Sequence, residues 1–220
     1  MTMAADWQTF DLPGADVRLA QLFDDAGAQA WFERLRAEIP WQRHRLRIFG
    51  RDVDAPRLSS WFGDADAVYK YSGTRFVPHA WTAACAELRD RLAVRCGVSF
   101  NSVLCNLYRD GRDSMGWHSD NEAELGPEPV IASLSFGAVR RFSLRHRRDA
   151  SLGLDIDLLP GSLLVMAGAT QGNYRHGVKK TARPVGPRLN LTFRSISAAI
   201  VRDRESHEAA IHGRTFHKSA

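Results

Sequence analysis

The hydrophobic period of the sequence changes near Gly97, and this change constrains the fold more than any other feature. Before it, two stretches at about 24–39 and 81–96 carry apolar residues at helical spacing. After it, short runs of strand-forming residues alternate with Gly, Pro, Asp and Asn turns. These runs are 102–108, 130–136, 141–146, 162–167 and 189–194. Helices followed by many short strands predict an α+β protein with an all-β sandwich or barrel as its core.

The composition is that of one globular domain. The chain has 220 residues, 44% of them hydrophobic and 25% charged, which is enough for a substantial core. No apolar run is long enough to span a membrane, and the start does not resemble a secretory signal. Three cysteines without a C-x-x-C pair argue against a disulfide scaffold or a cysteine zinc site. We expect a cytoplasmic monomer without a membrane partner.

The net charge of +5 and the pI of about 9.4 permit a polyanionic partner. The positive charge is clustered at 140–148 and again at Lys179, Lys180 and Arg183. Either cluster taken alone is as well explained by a solvated loop.

A metal site is indicated by His118 and Asp120, which are two residues apart in Trp-His-Ser-Asp. On a strand, such residues face the same side and reach one ion. His176 is the candidate for a third ligand. Two histidines and one carboxylate are the ligand set of non-haem Fe(II) oxygenases. The H-x-D triplet alone is a weak signal, because it arises often by chance.

The segment 188–194, Arg-Leu-Asn-Leu-Thr-Phe-Arg, supplies the context. Strand alternation places Arg188, Asn190 and Arg194 on one face and the apolar residues on the other. Inward arginines are costly unless they bind an anion, and a dicarboxylate matches the guanidinium group. A solvent-facing edge strand is the alternative. Upstream, Asn106 and Tyr108 put a second amide and a phenol on one face.

Taken together in this order, these motifs resemble the AlkB family of iron- and 2-oxoglutarate-dependent nucleic-acid dealkylases. The resemblance covers roughly residues 47–194. Flanking motifs such as Tyr69-Lys-Tyr71-Ser-Gly and Pro160-Gly-Ser agree with it. They look most similar to the branch that includes an enzyme preferring double-stranded DNA.

The resemblance implies a double-stranded β-helix (jelly-roll) core that follows N-terminal helices and a nucleotide-recognition lid. It implies that His118, Asp120 and His176 bind Fe(II) and form the catalytic centre. The cosubstrate 2-oxoglutarate would be bound by Asn106, Tyr108, Arg188, Asn190 and Arg194. With O2, such an enzyme oxidises an N-alkyl group and releases succinate, CO2 and formaldehyde.

The resemblance also implies contacts with the nucleic acid. Ile48, Phe49 and Gly50 match an apolar finger that inserts into the base stack. Tyr69 and Tyr71 match lid positions around a flipped base. Asn121 and Glu122 match a run that reads the damaged base, in which Asn121 stands where close relatives commonly carry an acidic residue.

We therefore expect an oxidative DNA demethylase acting on 1-methyladenine and 3-methylcytosine in duplex and single-stranded DNA. Residues 1–100 would hold the helices and the lid, 101–195 the dioxygenase core, and 196–220 a tail. The same chemistry on RNA or on a protein side chain is the main alternative. A damage-binding module with a vestigial iron site is a second alternative.

Overall fold

The computed structural model describes residues 6–48, 51–71 and 74–197. Its α-helices are α1 (Asp25–Glu38), α2 (Ala83–Cys96) and α3 (Thr170–Asn173), with a 3-10 helix at Ala123–Leu125. Its strands are β1 (Gln8–Thr9), β2 (Asp16–Gln21), β3 (Arg45–Ile48), β4 (Arg51–Asp54), β5 (Leu58–Gly63), β6 (Tyr69–Tyr71), β7 (Thr74–Phe76), β8 (Ser102–Tyr108), β9 (Met115–His118), β10 (Ile131–Gly137), β11 (Arg140–His146), β12 (Gly153–Leu158), β13 (Ser162–Ala167), β14 (Tyr174–Val178) and β15 (Arg188–Arg194).

The two predicted helices are confirmed, and local capping explains their bounds. The Asp24 carboxylate accepts a hydrogen bond of 2.8 Å from the Gly27 amide at the start of α1. The Thr82 hydroxyl accepts one of 3.2 Å from the Cys85 amide at the start of α2. That helix ends at Gly97, whose φ of 70° is the left-handed conformation that glycine adopts most easily.

Two antiparallel sheets form the core, which confirms the predicted jelly-roll architecture. The larger sheet has the order β1-β2-β13-β10-β15-β8-β5, and the smaller has the order β12-β11-β14-β9. Two hairpins, β3–β4 and β6–β7, stand apart from these sheets. The hydrophobic pattern did not predict β1 and β2, which precede the first helix. β2 pairs with β13 and β1 pairs with β2, so the two strands extend the larger sheet.

The larger sheet is covered on both faces. The two long helices pack on its outer face, where Leu189, Leu191 and Phe193 of β15 join their core. A second core, including Phe142 and Tyr174 of the smaller sheet, lies between the two sheets. The polar residues of β15 therefore point between the sheets, and the alternation predicted for 188–194 is confirmed. No helix in the described part of the chain has the length and apolar character needed to cross a membrane.

Candidate metal and cosubstrate site

Three predicted metal ligands meet at one end of the space between the sheets. His118 ends β9 and lies opposite His176 of β14 in the strand register, with the two ring centroids 4.3 Å apart. Asp120 joins them, so that the candidate ligand atoms of the three residues lie within 4.8 Å of one another. The structure thus brings together a set of donors that suits a divalent transition metal.

The predicted reason for the position of Asp120 is wrong. Strand alternation does not orient it, because β9 ends at His118 and Asp120 follows in irregular chain. Its backbone amide instead donates a hydrogen bond of 2.9 Å to Oε1 of Gln171, in α3. A residue remote in sequence therefore holds the turn that carries the carboxylate.

Burial controls the charges of this cluster. His176 is 4% exposed, and its burial, followed by the nearby His118, lowers its pKa from 6.5 to about 3. The imidazole is therefore neutral and retains a lone pair for a metal. Burial alone would raise the pKa of Asp120, but the charge of Arg194 and the hydrogen bond that it donates hold that pKa below its ordinary value.

One carboxylate oxygen of Asp120 is paired and the other is free. Oδ1 accepts a hydrogen bond of 2.8 Å from Nη2 of Arg194. Oδ2 is 4.0 Å from Nε2 of His176 and has no hydrogen-bond donor among the described residues. An unpaired, buried carboxylate oxygen facing an imidazole nitrogen is costly in a ligand-free core, and a bound cation would remove that cost.

The predicted cosubstrate residues line the neighbouring strands β8 and β15. Arg188 lies opposite Tyr108 in the register, and Asn190 lies opposite Asn106. The Asn190 amide donates to Oγ of Ser133 at 2.8 Å and to the Leu134 carbonyl at 2.9 Å, which fixes its orientation. These four side chains and Arg194 therefore share the space between the sheets with the three candidate metal ligands.

Arg188 is a buried guanidinium with incomplete hydrogen bonding. It is 1% exposed, and its Nη2 donates to Oγ of Ser135 at 2.8 Å. Its Cζ lies 5.2 Å from the centre of the Tyr108 ring. Nε and Nη1 have no acceptor among the described residues. Burial lowers the pKa of Arg188 from its ordinary value, as expected for a cation without a counter-ion.

Two further arginines in this region were not assigned to it from the sequence. Arg57, which follows the predicted finger by a few residues in the sequence, donates from Nε to Oδ1 of Asn106 at 2.8 Å. Arg140, placed in the 140–148 cluster, is 3% exposed and lies 5.7 Å from the Tyr108 ring. Its guanidinium donates to the carbonyls of Asp110, Asp113 and Lys179.

The rest of the basic clusters is only partly neutralised. Arg141 pairs with Asp157 and Arg145 with Asp155, each at 2.9 Å. Arg148, Lys179 and Lys180 are exposed and make no salt bridge within the described part of the chain. The solvated-loop interpretation is therefore wrong for Arg140, which is buried.

The predicted nucleic-acid contacts are less completely described. Phe49 and Gly50 lie outside the described residues. Ile48, Tyr69 and Tyr71 lie in the two separate hairpins, and only the backbone of these three residues is described. Asn121 directly follows Asp120 and is exposed, and Glu122 is half-buried at the residue before the 3-10 helix.

Comparisons with known proteins agree with this geometry. The model of the 2OG-Fe(II) oxygenase superfamily matches residues 16–194. Human alpha-ketoglutarate-dependent dioxygenase alkB homolog 3 is 40% identical over 186 residues, which are 79% of this chain and 64% of that protein. Mouse DNA oxidative demethylase ALKBH2 is 36% identical over 202 residues, which are 87% of this chain and 84% of that protein.

Among solved structures, "The structure of OsALKBH1" aligns with a TM-score of 0.60 at 15% identity, covering 86% of this chain and all of that one. This likeness supports the fold alone. The chain spans less than two thirds of the length of the homolog 3 proteins that it matches, 64% for the human one. The superfamily match and the identity with these relatives show that the chain belongs to the 2OG-Fe(II) oxygenase superfamily and, within it, to the AlkB family.

Proposed function

We propose that this protein is an Fe(II)- and 2-oxoglutarate-dependent dioxygenase that removes N-alkyl groups from nucleic-acid bases, chiefly 1-methyladenine and 3-methylcytosine in DNA. The observation that carries the proposal is a pair of unsatisfied buried groups in the space between the two sheets. These are Oδ2 of Asp120 beside two histidines and the free donors of Arg188. The first needs a cation and the second needs an anion, and the two cofactors of the family supply both.

The proposed iron site fits its donors. His118, Asp120 and His176 would hold Fe(II) through two imidazoles and one carboxylate, a combination that leaves further coordination positions open. The lowered pKa of His176 keeps its ring neutral at physiological pH, as ligation requires. Arg194 holds the other oxygen of Asp120, an outer contact of the kind that orients a ligating carboxylate.

The proposed cosubstrate site fits a dicarboxylate. Nε and Nη1 of Arg188 offer two charged donors to one carboxylate at a position closed to solvent. Tyr108 packs against the same guanidinium, while Asn106 and Asn190 contribute amides that hydrogen bonds already hold in place. These residues would bind and orient 2-oxoglutarate and exclude water from it.

When bound, Fe(II), 2-oxoglutarate and O2 supply the oxidation of a C–H bond on the N-alkyl carbon, with release of CO2 and succinate and then of formaldehyde. The protein residues need not act as nucleophile or general base. Their part is to hold the base with its alkyl group next to the iron site and to keep water away. Glu122, directly beyond the metal ligands, would accept a hydrogen bond from the exocyclic amino group of adenine or cytosine.

A nucleic-acid substrate is supported by the charge and by the relatives. The chain carries a net charge of +5, and Lys179 and Lys180 lie exposed just beyond β14, which holds His176. One relative is named a DNA oxidative demethylase. A base inside a duplex must leave the stack to reach such a site. We assign that opening to Phe49 with its neighbours Ile48 and Gly50, and contact with the flipped base to Tyr69, Tyr71 and Asn121.

The test uses purified protein with Fe(II), ascorbate and 2-oxoglutarate. Oligonucleotides carrying 1-methyladenine or 3-methylcytosine, as single-stranded DNA, duplex DNA and RNA, are followed by mass for loss of one CH2 unit. The His118→Ala variant is the matched control and should remain inactive. Loss of the methyl group from DNA supports the proposal. Succinate formed without any loss from DNA would overturn the substrate assignment, and no succinate from iron-loaded protein would overturn the activity.

A further inference from the structure

The outer face of the smaller sheet carries an exposed tryptophan beside the proposed iron site. β9 is the edge strand of that sheet. Its last residue, His118, points between the sheets, whereas Trp117 is 41% exposed. Among the residues whose side chains are described, Trp117 is the only aromatic one in the exposed class, and it belongs to neither hydrophobic core.

A lysine lies beside this indole, and two arginines lie on the neighbouring segments. Nζ of Lys179 lies 5.4 Å from the Trp117 ring centre, which places both side chains on the same face of the sheet. Arg175 in β14 and Lys179, the residue directly after that strand, are exposed and flank the buried Gly177 at alternate positions, so we place their side chains on the outer face. Neither cation makes a salt bridge with a described acidic residue. Arg147 donates to Oγ of Ser119 at 2.8 Å on the other side of His118.

The combination is unfavourable for a surface that meets only water. An exposed indole leaves much apolar area hydrated, and stability does not require it there because both cores are complete without it. An exposed aromatic ring beside unpaired cations is the arrangement with which proteins bind unpaired nucleotides, by stacking the base and pairing the phosphates. A paired base in a duplex does not offer its face to such a ring.

We propose that Trp117, Arg175 and Lys179 form a platform that binds a single-stranded segment next to the target base. A base beside the lesion stacks on the Trp117 indole, and the adjoining phosphates lie on Lys179 and Arg175. The inference rests on the proposed function, since it assigns the segment to the substrate strand. Trp117 directly precedes His118, so a nucleic-acid strand that delivers a base to the proposed iron site would cross this edge of the sheet.

The test measures binding without catalysis. Metal-free protein is titrated with a fluorescent, unmethylated single-stranded heptanucleotide and with the matching duplex. Stacking contributes about 1–3 kcal/mol per base, so Trp117→Ala should weaken single-strand binding about tenfold or more. Trp117→Phe should restore most of it. Duplex binding should change less than threefold, because there the bases remain paired.

The chain offers a matched control in Leu159, which is 52% exposed and follows β12 at the opposite edge of the same sheet. Leu159→Ala removes a comparable exposed apolar group and should leave binding unchanged. Equal single-strand binding by wild type and Trp117→Ala would overturn the platform. A loss of melting temperature that accompanies the weaker binding and is not rescued by Trp117→Phe would also overturn it, because Trp117 would then be a structural residue.

Failure of the platform and failure of the proposed function give different results. In parallel assays with loaded enzyme, wild type and Trp117→Ala are compared on methylated trinucleotides and heptanucleotides. The platform predicts that lengthening the substrate lowers KM for wild type far more than for the variant, with kcat similar in both. Wild-type dealkylation with equal length dependence in both proteins overturns the platform alone. Binding affected as predicted, without any dealkylation, supports the platform and overturns the function.

Discussion

Replacing Arg188 by methionine should separate ligand binding from stability. Arg188 is 1% exposed, with one hydrogen bond to Ser135 and a contact with the Tyr108 ring. The Arg188→Met variant loses a charge-assisted hydrogen bond that contributes about 1.5–3 kcal/mol and a cation–π contact that contributes about 2 kcal/mol. It also removes two unsatisfied buried donors, each of which costs about 1–3 kcal/mol. These effects oppose each other, so the ligand-free variant should unfold within about 2 kcal/mol of wild type.

Binding of 2-oxoglutarate should respond quite differently. Removing one partner of a buried ion pair costs about 2–5 kcal/mol, and a cost of about 2.8 kcal/mol within that range weakens binding about a hundredfold. At a ligand concentration one hundred times the wild-type Kd, 2-oxoglutarate stabilises wild type by about 2.7 kcal/mol. The same concentration stabilises a hundredfold weaker variant by about 0.4 kcal/mol. The ligand should therefore raise the melting temperature of wild type by about 5–10 °C and that of the variant by about 1 °C.

The assay is thermal unfolding of Fe(II)-loaded protein without oxygen, with and without 2-oxoglutarate. Arg140→Met is the matched control, because Arg140 also packs near Tyr108 but donates to three backbone carbonyls. That variant should lose about 3 kcal/mol or more of stability and still show most of the ligand-induced rise. A full wild-type rise in Arg188→Met, or a large loss of its ligand-free stability, would refute the reasoning.

Three further predictions concern pH, packing and DNA contact. The folded-state pKa of His176 is about 3 against an ordinary 6.5, so the unfolded chain takes up the proton first as pH falls. The free energy of unfolding of the metal-free protein, measured in urea titrations, should therefore be highest above pH 6.5 and fall by about 2 kcal/mol between pH 7 and pH 5. The same dependence on pH in His176→Gln would contradict this. Gly137 has a φ of 78°, and a Cβ there would lie 2.5 Å from the Pro187 carbonyl oxygen and 2.7 Å from the Phe32 ring. Gly137→Ala should thus cost about 3 kcal/mol in thermal unfolding, and an unaltered melting temperature would be inconsistent with the packing. In a plot of the logarithm of the duplex binding constant against the logarithm of the salt concentration, Lys180→Ala should make the slope shallower by about 0.9. A slope identical to that of wild type would exclude a phosphate contact.

The sequence predicted those parts of the site that depend on local pattern. In β15 one alternating segment carries both a core face and a polar face, and both are buried, so the pattern and the structure agree residue by residue. The helices carry their own capping signals in Thr82 and Gly97. Period and capping are properties of neighbouring residues, and a single sequence is sufficient to recognise them.

The remaining features depend on contacts between residues far apart in the chain. The turn that carries Asp120 is held by Gln171, 51 residues later. Arg57 reaches Asn106 across 49 residues, and neither residue type predicts that pairing. β2 was missed for the same reason, because its partner β13 lies near the other end of the described chain. Arg140 did carry a local signal, since it shares the inward face of β11 with Phe142 two residues later.

The most direct test of the central claim is to count products per methyl group removed. Wild-type protein with Fe(II), 2-oxoglutarate and 1-methyladenine single-stranded DNA is sampled over time for succinate, formaldehyde and unmodified adenine. If His118, Asp120 and His176 hold the iron and Arg188 holds the cosubstrate, formaldehyde and adenine rise together with succinate. All three should then be absent in His118→Ala and strongly reduced in Arg188→Met. Methyl loss that persists in His118→Ala, or succinate that accumulates without formaldehyde or adenine, would contradict the account.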